Sequence, residues 1–176
     1  NGKKLALLID NDIVNVHDVP EDIKLSLIQQ NQVDAEKTKQ PKIDKAAIAE
    51  VLSELEYPLY FVDYETVSTA LPLYENCKPY QQIPFQYSLH VLKEPNATLE
   101  HYEYLSHDST TLPAHELLSN LKQQIGPSGS VITWNKSFEM GRNREMAAQY
   151  PEFTELMDGI NNRVFDLMEI FSKQHY

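Results

Sequence analysis

The sequence predicts an α/β fold in which a sheet is flanked by helices. Three strand-like segments come first, and a helical segment, a fourth strand and another helix follow in that order. Runs of strands mixed with helices of this length are typical of a layered α/β domain. The hydrophobic content, 41% of 176 residues, is sufficient for one core of medium size.

The first strand-like segment begins after Pro58 with the apolar, aromatic and β-branched run LYFV, which is typical of a buried strand. The second alternates, with Tyr87 and Leu89 separated by polar residues, and the turn at 94–96 divides it from the third. The turn at 126–129 precedes the fourth. In chain order, we expect strands at 59–65, 84–92, 99–105 and 130–134.

The helical segments are recognised by apolar residues at helical spacing. The helix expected at 111–125 carries Leu117 and Leu121 on one face. A second helix is expected at 138–150, and a shorter one after Pro151.

The first 43 residues differ in pattern from the rest of the sequence and predict a helical appendage. Pro20 opens a helix expected at 23–33, the charged and Gln-rich segment 34–42 is expected to be a linker, and Asp44 caps a further helix. We therefore expect residues 1–43 to be a connector or the tail of a preceding domain, and residues 44–176 to form the α/β domain.

Charge and cysteine content restrict the class of protein. The net charge is −11 with a pI near 4.9, so the chain by itself should bind nucleic acid poorly. A single cysteine, Cys77, excludes an internal disulfide and fits a reducing cytoplasm. The apolar run 5–9 is too short to cross a membrane, and no signal peptide is evident.

Two acids one residue apart end the first strand. Because side chains alternate along a strand, Asp63 and Glu65 share a face, with Cα atoms roughly 7 Å apart. A hard divalent cation such as Mg²⁺ or Mn²⁺ binds carboxylates placed in this way. The alternative is an ordinary strand end whose acids point into water.

A second polar block follows the fourth strand. Asn135 stands where the strand ends and a helix begins, and Glu139 falls in the first helical turn. An Asn N-cap and an acid that complements the helix dipole would explain both residues without any chemistry. Between the first two strands, Tyr80 and Gln82 could contact unpaired bases or could pack against the protein.

Taken together, the two blocks resemble the DEDD 3′–5′ exonucleases of the ribonuclease H-like fold. The D-x-E of that family matches Asp63 and Glu65, and its N-x-x-F-(D/E) matches Asn135, Phe138 and Glu139. Glu replaces the usual Asp at the last of these positions. The order of the elements also matches that fold, which implies a mixed sheet with three antiparallel strands and a parallel fourth strand.

The wider chain is similar to an uncharacterised bacterial domain family found C-terminal to RecB-like nuclease domains. The phrases PYQQIPFQYSLH, WNKSFE and RVFDLM carry this resemblance. It implies an upstream RecB-like nuclease domain as a partner in the full-length protein.

The resemblance implies metal-dependent hydrolysis of DNA or RNA, with single strands or 3′ ends as substrate. Asp63, Glu65 and Glu139 would hold two Mg²⁺ or Mn²⁺ ions, with Asn135 and Phe138 in support. Tyr80, Gln82 and Lys136 would contact the substrate. The alternative is a catalytically silent module of the same fold that binds or positions a neighbouring nuclease domain.

The final acid of the DEDD set has no counterpart after Asp166, so we expect the catalytic set to be incomplete in this chain and metal binding to be weak. Asp166 matches the acid that opens the strand or helix after the second block, a supporting position. Locally it is also an N-cap candidate, with Glu169 three residues later as in a capping box.

Overall fold

The computed structural model describes residues 2–172, which divide into two compact units. The larger unit comprises residues 51–169 and contains the sheet. The smaller unit comprises the described residues up to Glu50 together with 170–172.

The sheet of the larger unit is mixed, as predicted. Its strands are β1 (Leu59–Val67), β2 (Ile83–Leu92), β3 (Glu100–Leu105), β4 (Ser130–Thr133) and β5 (Val164–Asp166). Their order is β3-β2-β1-β4-β5, antiparallel from β1 to β3 and parallel from β1 through β4 to β5. The sequence did not predict β5 as a strand, and Asp166 closes it rather than opening an element.

The described residues form seven α-helices: α1 (Gly2–Asp10), α2 (Leu27–Thr38), α3 (Lys45–Leu52), α4 (Ala114–Gln124), α5 (Lys136–Gln149), α6 (Thr154–Asn161) and α7 (Met168–Ser172). In the larger unit, α4, α5 and α6 lie close to their predicted positions. Helix α5 begins two residues earlier than expected, directly after Asn135.

The two faces of β1 differ because side chains alternate along a strand. Tyr60 and Tyr64 are buried in the main core, together with apolar side chains of α4, α5 and α6. Burial of each large apolar side chain contributes about 1.5–3 kcal/mol to folding. The opposite face carries Phe61, followed by the exposed acids Asp63 and Glu65.

Arg163 ties the turn that precedes β4 to the residue that precedes β5. Its guanidinium group donates hydrogen bonds to the carbonyl oxygens of Gly126 at 2.6 Å, Ser128 at 2.5 Å and Gly129 at 2.7 Å. Gly129 has a φ of +90°, and a Cβ atom there would lie 2.1 Å from the carbonyl oxygen of Pro58. Glycine is therefore required at this position, since a side chain would collide with the backbone.

The smaller unit corrects two predicted boundaries. Helix α2 begins at Leu27, later than the expected start at 23, because its N-cap Ser26 and Gln29 form a reciprocal capping box. It continues to Thr38, so most of the segment expected to be a linker is helical. Asp44 accepts a hydrogen bond from the backbone of Ala47 at 3.0 Å, which confirms it as the cap of α3.

Candidate active site

Three acids occupy the edge of the sheet at which the parallel strands end. Asp63 lies in β1, two residues beyond the last residue of that strand paired with β4. Asp166 is the last residue of β5, and Glu139 lies in the first turn of α5, which follows β4. Carboxyl ends of parallel strands meet at one edge, where α/β proteins commonly place ligand sites. Asp63 is exposed, whereas Glu139 and Asp166 are buried.

Electrostatic interaction links these acids. Burial raises the pKa of the Glu139 carboxyl, and the negative charges of Asp63 and Asp166 raise that pKa further. The predicted proximity of Asp63 to Glu139 is consistent with this interaction. Glu65 lies two residues beyond Asp63 on the same exposed face of β1, just before a register shift between Glu65 and Thr66.

Two polar atoms at this edge are buried without a hydrogen-bond partner: Oε2 of Glu139 and Oγ1 of Thr133. Thr133 is the last residue of β4, and its register partner in β5 is Asp166. Each unpartnered buried polar group costs free energy unless a ligand, ion or water satisfies it. Nothing in the sequence points to Thr133, because its place beside Asp166 depends on strand register.

Asp166 caps α5, a role that the sequence assigned to Asn135. The carboxylate of Asp166 accepts hydrogen bonds from the backbone N–H of Lys136 at 3.2 Å and of Met168 at 3.0 Å. Asn135 occupies the N-cap position, but its side chain makes no capping hydrogen bond. The prediction of an Asn135 cap is therefore wrong, whereas the supporting role of Asp166 is consistent with these bonds.

The basic residue closest to this edge in sequence is paired with an acid, although its side chain is 41% exposed. Lys136 Nζ forms an ion pair with Glu169, the residue that the sequence had assigned to a capping box with Asp166. This ion pair joins the start of α5 to α7. The ammonium group predicted to contact substrate is thus engaged by a carboxylate.

Gln82 and Phe138 are both in contact with Arg142. The guanidinium carbon of Arg142 lies 5.4 Å from the centroid of the Phe138 ring, and Nη1 donates a hydrogen bond to Gln82 Oε1. Nη2 pairs with Glu145 at 2.7 Å. Phe138 packs against the core, as expected of a supporting residue. Tyr80 is 70% exposed, with a φ of +59°.

A buried hydrogen-bond chain connects β1 to α5 and α6 just behind the acids. Tyr64 Oη donates to Asn143 Oδ1 at 2.9 Å, and Asn143 Nδ2 donates to Asn161 Oδ1 at 2.9 Å. Burial, followed by the charge of Glu139, raises the pKa of the Tyr64 hydroxyl. The hydroxyl therefore remains a hydrogen-bond donor, and the chain fixes α5 against the strand that carries Asp63.

The donor set suits a hard cation only in part. Within residues 2–172, no group of three His, Cys, Asp or Glu side chains is arranged to hold a metal ion. Mg²⁺, however, is often bound by one or two carboxylates, with water and substrate phosphates completing its shell. Asp63 and the unpartnered Oε2 of Glu139 fit that requirement.

None of the helices within residues 2–172 has the length and apolar character needed to span a membrane.

Comparison with known proteins finds a relative from Mycoplasma genitalium, "Uncharacterized protein MG366", which is 31% identical to this chain over 121 residues. The match covers 65% of this chain but only 18% of that protein, so the chain spans less than a fifth of its length. No solved structure matches.

A family model described as "Domain of unknown function (DUF2779)" matches residues 60–176. The matched region starts within β1 and includes Asp63, the second polar block, and Asp166. Because the match extends over more than half of the sequence, the chain belongs to the DUF2779 family.

Proposed function

We propose that this domain is a metal-dependent phosphodiester hydrolase of the 3′–5′ exonuclease type, acting on DNA or RNA. The observation that carries the proposal is Glu139, a buried carboxylate with an unpartnered oxygen and a pKa raised by burial and by Asp63 and Asp166. Perturbed acids of this kind are typical of functional sites. A divalent cation would satisfy the unpartnered oxygen and offset the repulsion.

Asp63 and Glu139 are the residues that would hold Mg²⁺ or Mn²⁺, with Glu65 as a further ligand on the same face of β1 as Asp63. When bound, the metal would lower the pKa of a water nucleophile and neutralise charge on the phosphodiester. The protein itself supplies the negative edge that attracts the cation. Asp166 belongs to the support of the site, because its carboxylate already accepts two backbone hydrogen bonds.

The support around these acids fits a site that must keep its geometry. Asp166 fixes the first N–H group of α5, and the chain from Tyr64 through Asn143 fixes the middle of that helix. Glu139 lies between these two attachments. A carboxylate held in this way would need little rearrangement when a cation binds.

The test is a nuclease assay of the full-length protein on end-labelled single strands with Mn²⁺, after any other nuclease centre has been inactivated. We expect stepwise shortening from the 3′ end, lost in Asp63→Asn. The matched control is Asp158→Asn, an exposed acid of α6, which should retain full activity. Equal activity of the two variants would refute the assignment of Asp63.

The second candidate is a catalytically silent module that binds or positions a neighbouring nuclease domain. The observation that favours it is that Asp166, Lys136 and Gln82 are all engaged by other protein groups. The net charge of −11 also opposes contact with phosphates. Absence of metal-dependent cleavage, together with loss of the neighbouring domain's activity when this module is deleted, would establish this alternative.

A further inference from the structure

Arg142 is a basic side chain next to the candidate active site. It lies three residues after Glu139 in α5, and residues three apart are neighbours on a helix, with Cβ atoms about 5–6 Å apart. Its Nη1 donates a hydrogen bond to Gln82 Oε1. Gln82 immediately precedes β2, whose first residue pairs with the last residue of β1. The guanidinium group therefore connects the helix that carries Glu139 to the end of the strand that carries Asp63.

The guanidinium group of Arg142 lacks one hydrogen-bond acceptor. Nη1 donates to Gln82 and Nη2 donates to Glu145 Oε1 at 2.7 Å, whereas Nε is buried and has no hydrogen-bond partner. A buried donor without an acceptor costs free energy. Nε and Nη2 form one edge of the planar group, and such an edge can bind two oxygens of one anion in parallel. Glu145 occupies this edge with a single oxygen.

Glu145 is a replaceable partner of Arg142. The Glu145 side chain is 47% exposed, whereas that of Arg142 is 13% exposed. An ion pair with such an exposed acid contributes little to stability, because water competes for the carboxylate. Two parallel charge-assisted hydrogen bonds to one anion are stronger. A phosphate that presents two oxygens to this edge would displace Glu145 and also supply the acceptor that Nε lacks.

Resting on the proposed function, we propose that Arg142 binds a backbone phosphate of the substrate strand close to the bond that is cleaved, and that Glu145 occupies this position until the strand binds. The Phe138 ring, whose centroid lies 5.4 Å from the guanidinium carbon, holds the plane of the group. Because the net charge of the chain is −11, this one contact supplies a large share of the electrostatic affinity for the strand.

The experiment titrates a labelled oligothymidylate with the purified chain in EDTA, which prevents hydrolysis, and records anisotropy at several low salt concentrations. For single strands, log K falls with log salt with a slope of about −0.7 for each phosphate neutralised. Arg142→Gln should weaken binding about 10-fold or more and make the slope shallower by about 0.7. Arg142→Lys keeps the charge and should keep the slope, yet it should bind more weakly because the parallel hydrogen bonds are lost. The matched control is Arg144→Gln, an exposed arginine of the same helix, which should change the affinity much less.

Glu145→Gln tests the exchange, because it removes the competing charge and nearly preserves the shape of the side chain. We expect it to strengthen binding about 2–5-fold, the range that corresponds to release of an exposed ion pair. The gain should disappear in the Arg142→Gln background, since the two residues act through one interaction. Glu155→Gln, an exposed acid of α6, measures the general effect of removing one negative charge and should leave the affinity nearly unchanged. If Arg142→Gln does not fold, Arg142→Lys and Glu145→Gln decide the result.

The outcomes separate this proposal from the proposed function. No binding by the unmodified chain, an unchanged slope in Arg142→Gln, or a gain from Glu145→Gln that persists without Arg142 would overturn the phosphate site. Cleavage by the full-length protein with an unchanged KM in Arg142→Gln would also overturn it and leave the nuclease function standing. Strand binding that requires Arg142, in a protein that never cleaves, would support the phosphate site while refuting the nuclease function.

Discussion

Replacement of Glu139 by glutamine tests whether this residue belongs to a site or only to a helix. Glutamine is nearly isosteric but carries no charge, so it removes the repulsion from Asp63 and Asp166 and the cost of burying an ionised group. The same change also removes the favourable interaction of a first-turn acid with the helix dipole, worth about 0.3–1 kcal/mol. The two effects have opposite signs.

The structure indicates which effect is larger. Glu139 is only 4% exposed, and burial is the largest cause of its raised pKa. Each unit by which folding raises the pKa of a carboxyl costs about 1.4 kcal/mol when the pH lies above both values. We therefore expect Glu139→Gln to stabilise the fold at neutral pH and to raise Tm, each kcal/mol of stabilisation corresponding to about 2–4 °C in a chain of this size.

The assay is thermal melting without divalent ions, with Glu155→Gln as the matched control. Glu155 also lies in the first turn of a helix, α6, but is exposed. That change should lose only the dipole interaction and lower Tm slightly. If Glu139→Gln lowers Tm as much as Glu155→Gln or more, Glu139 acts as an ordinary first-turn acid and the clustered site is refuted.

Further predictions concern pH and the support of the site. The advantage of glutamine over Glu139 should shrink as pH falls through the raised pKa and vanish below about 4.5, where the glutamate is neutral in both the folded and the unfolded state. Paired melts across that range measure it, and an advantage independent of pH would contradict the electrostatic cause. Asp166→Ala should lower the free energy of unfolding in denaturant by about 0.5–2 kcal/mol, because two backbone N–H groups lose their acceptor. Asn135→Ala should lower it little, since the Asn135 side chain makes no capping hydrogen bond, and a larger loss for Asn135→Ala than for Asp166→Ala would identify Asn135 as the cap. Tyr64→Phe should lower the free energy of unfolding by about 0.5–1.5 kcal/mol, and by more if Asn143 Oδ1 is left without a donor. Hydrogen exchange in α5 should also become faster, and unchanged exchange would show that the Tyr64–Asn143 hydrogen bond does not hold the helix.

Those parts of the site that depend on one segment alone could be predicted from the sequence. Asp63 and Glu65 share a face because alternation along a strand is a local property, and Glu139 lies in the first turn of a helix because the pattern after 130–134 is helical. The predicted sheet was also correct in its pairing, since the order of the elements restricts the possible arrangements.

Those parts that depend on register between distant segments could not be predicted. Asn135 has the best local propensity for a cap, but Asp166 supplies the acceptor, because β5 brings it beside Thr133. The missed start of α2 is different in kind. Its signal is local, because Ser26 and Gln29 have the spacing of a capping box, and this box, not Pro20, sets the helix start.

Each end of β4 is held by hydrogen bonds from one side chain in or next to β5, and this restricts where the chain can be lengthened. Arg163 holds the turn before this four-residue strand, and Asp166 holds the helix start after it. A residue inserted between Thr133 and Lys136 would break the hydrogen bonds of Asp166 or those of Arg163, so this junction should tolerate no change of length. Insertions at 71–75, where the chain is irregular and largely exposed, should be accepted. Tags or reporter segments should therefore be inserted in that loop, where they would leave the spacing of the acids unchanged.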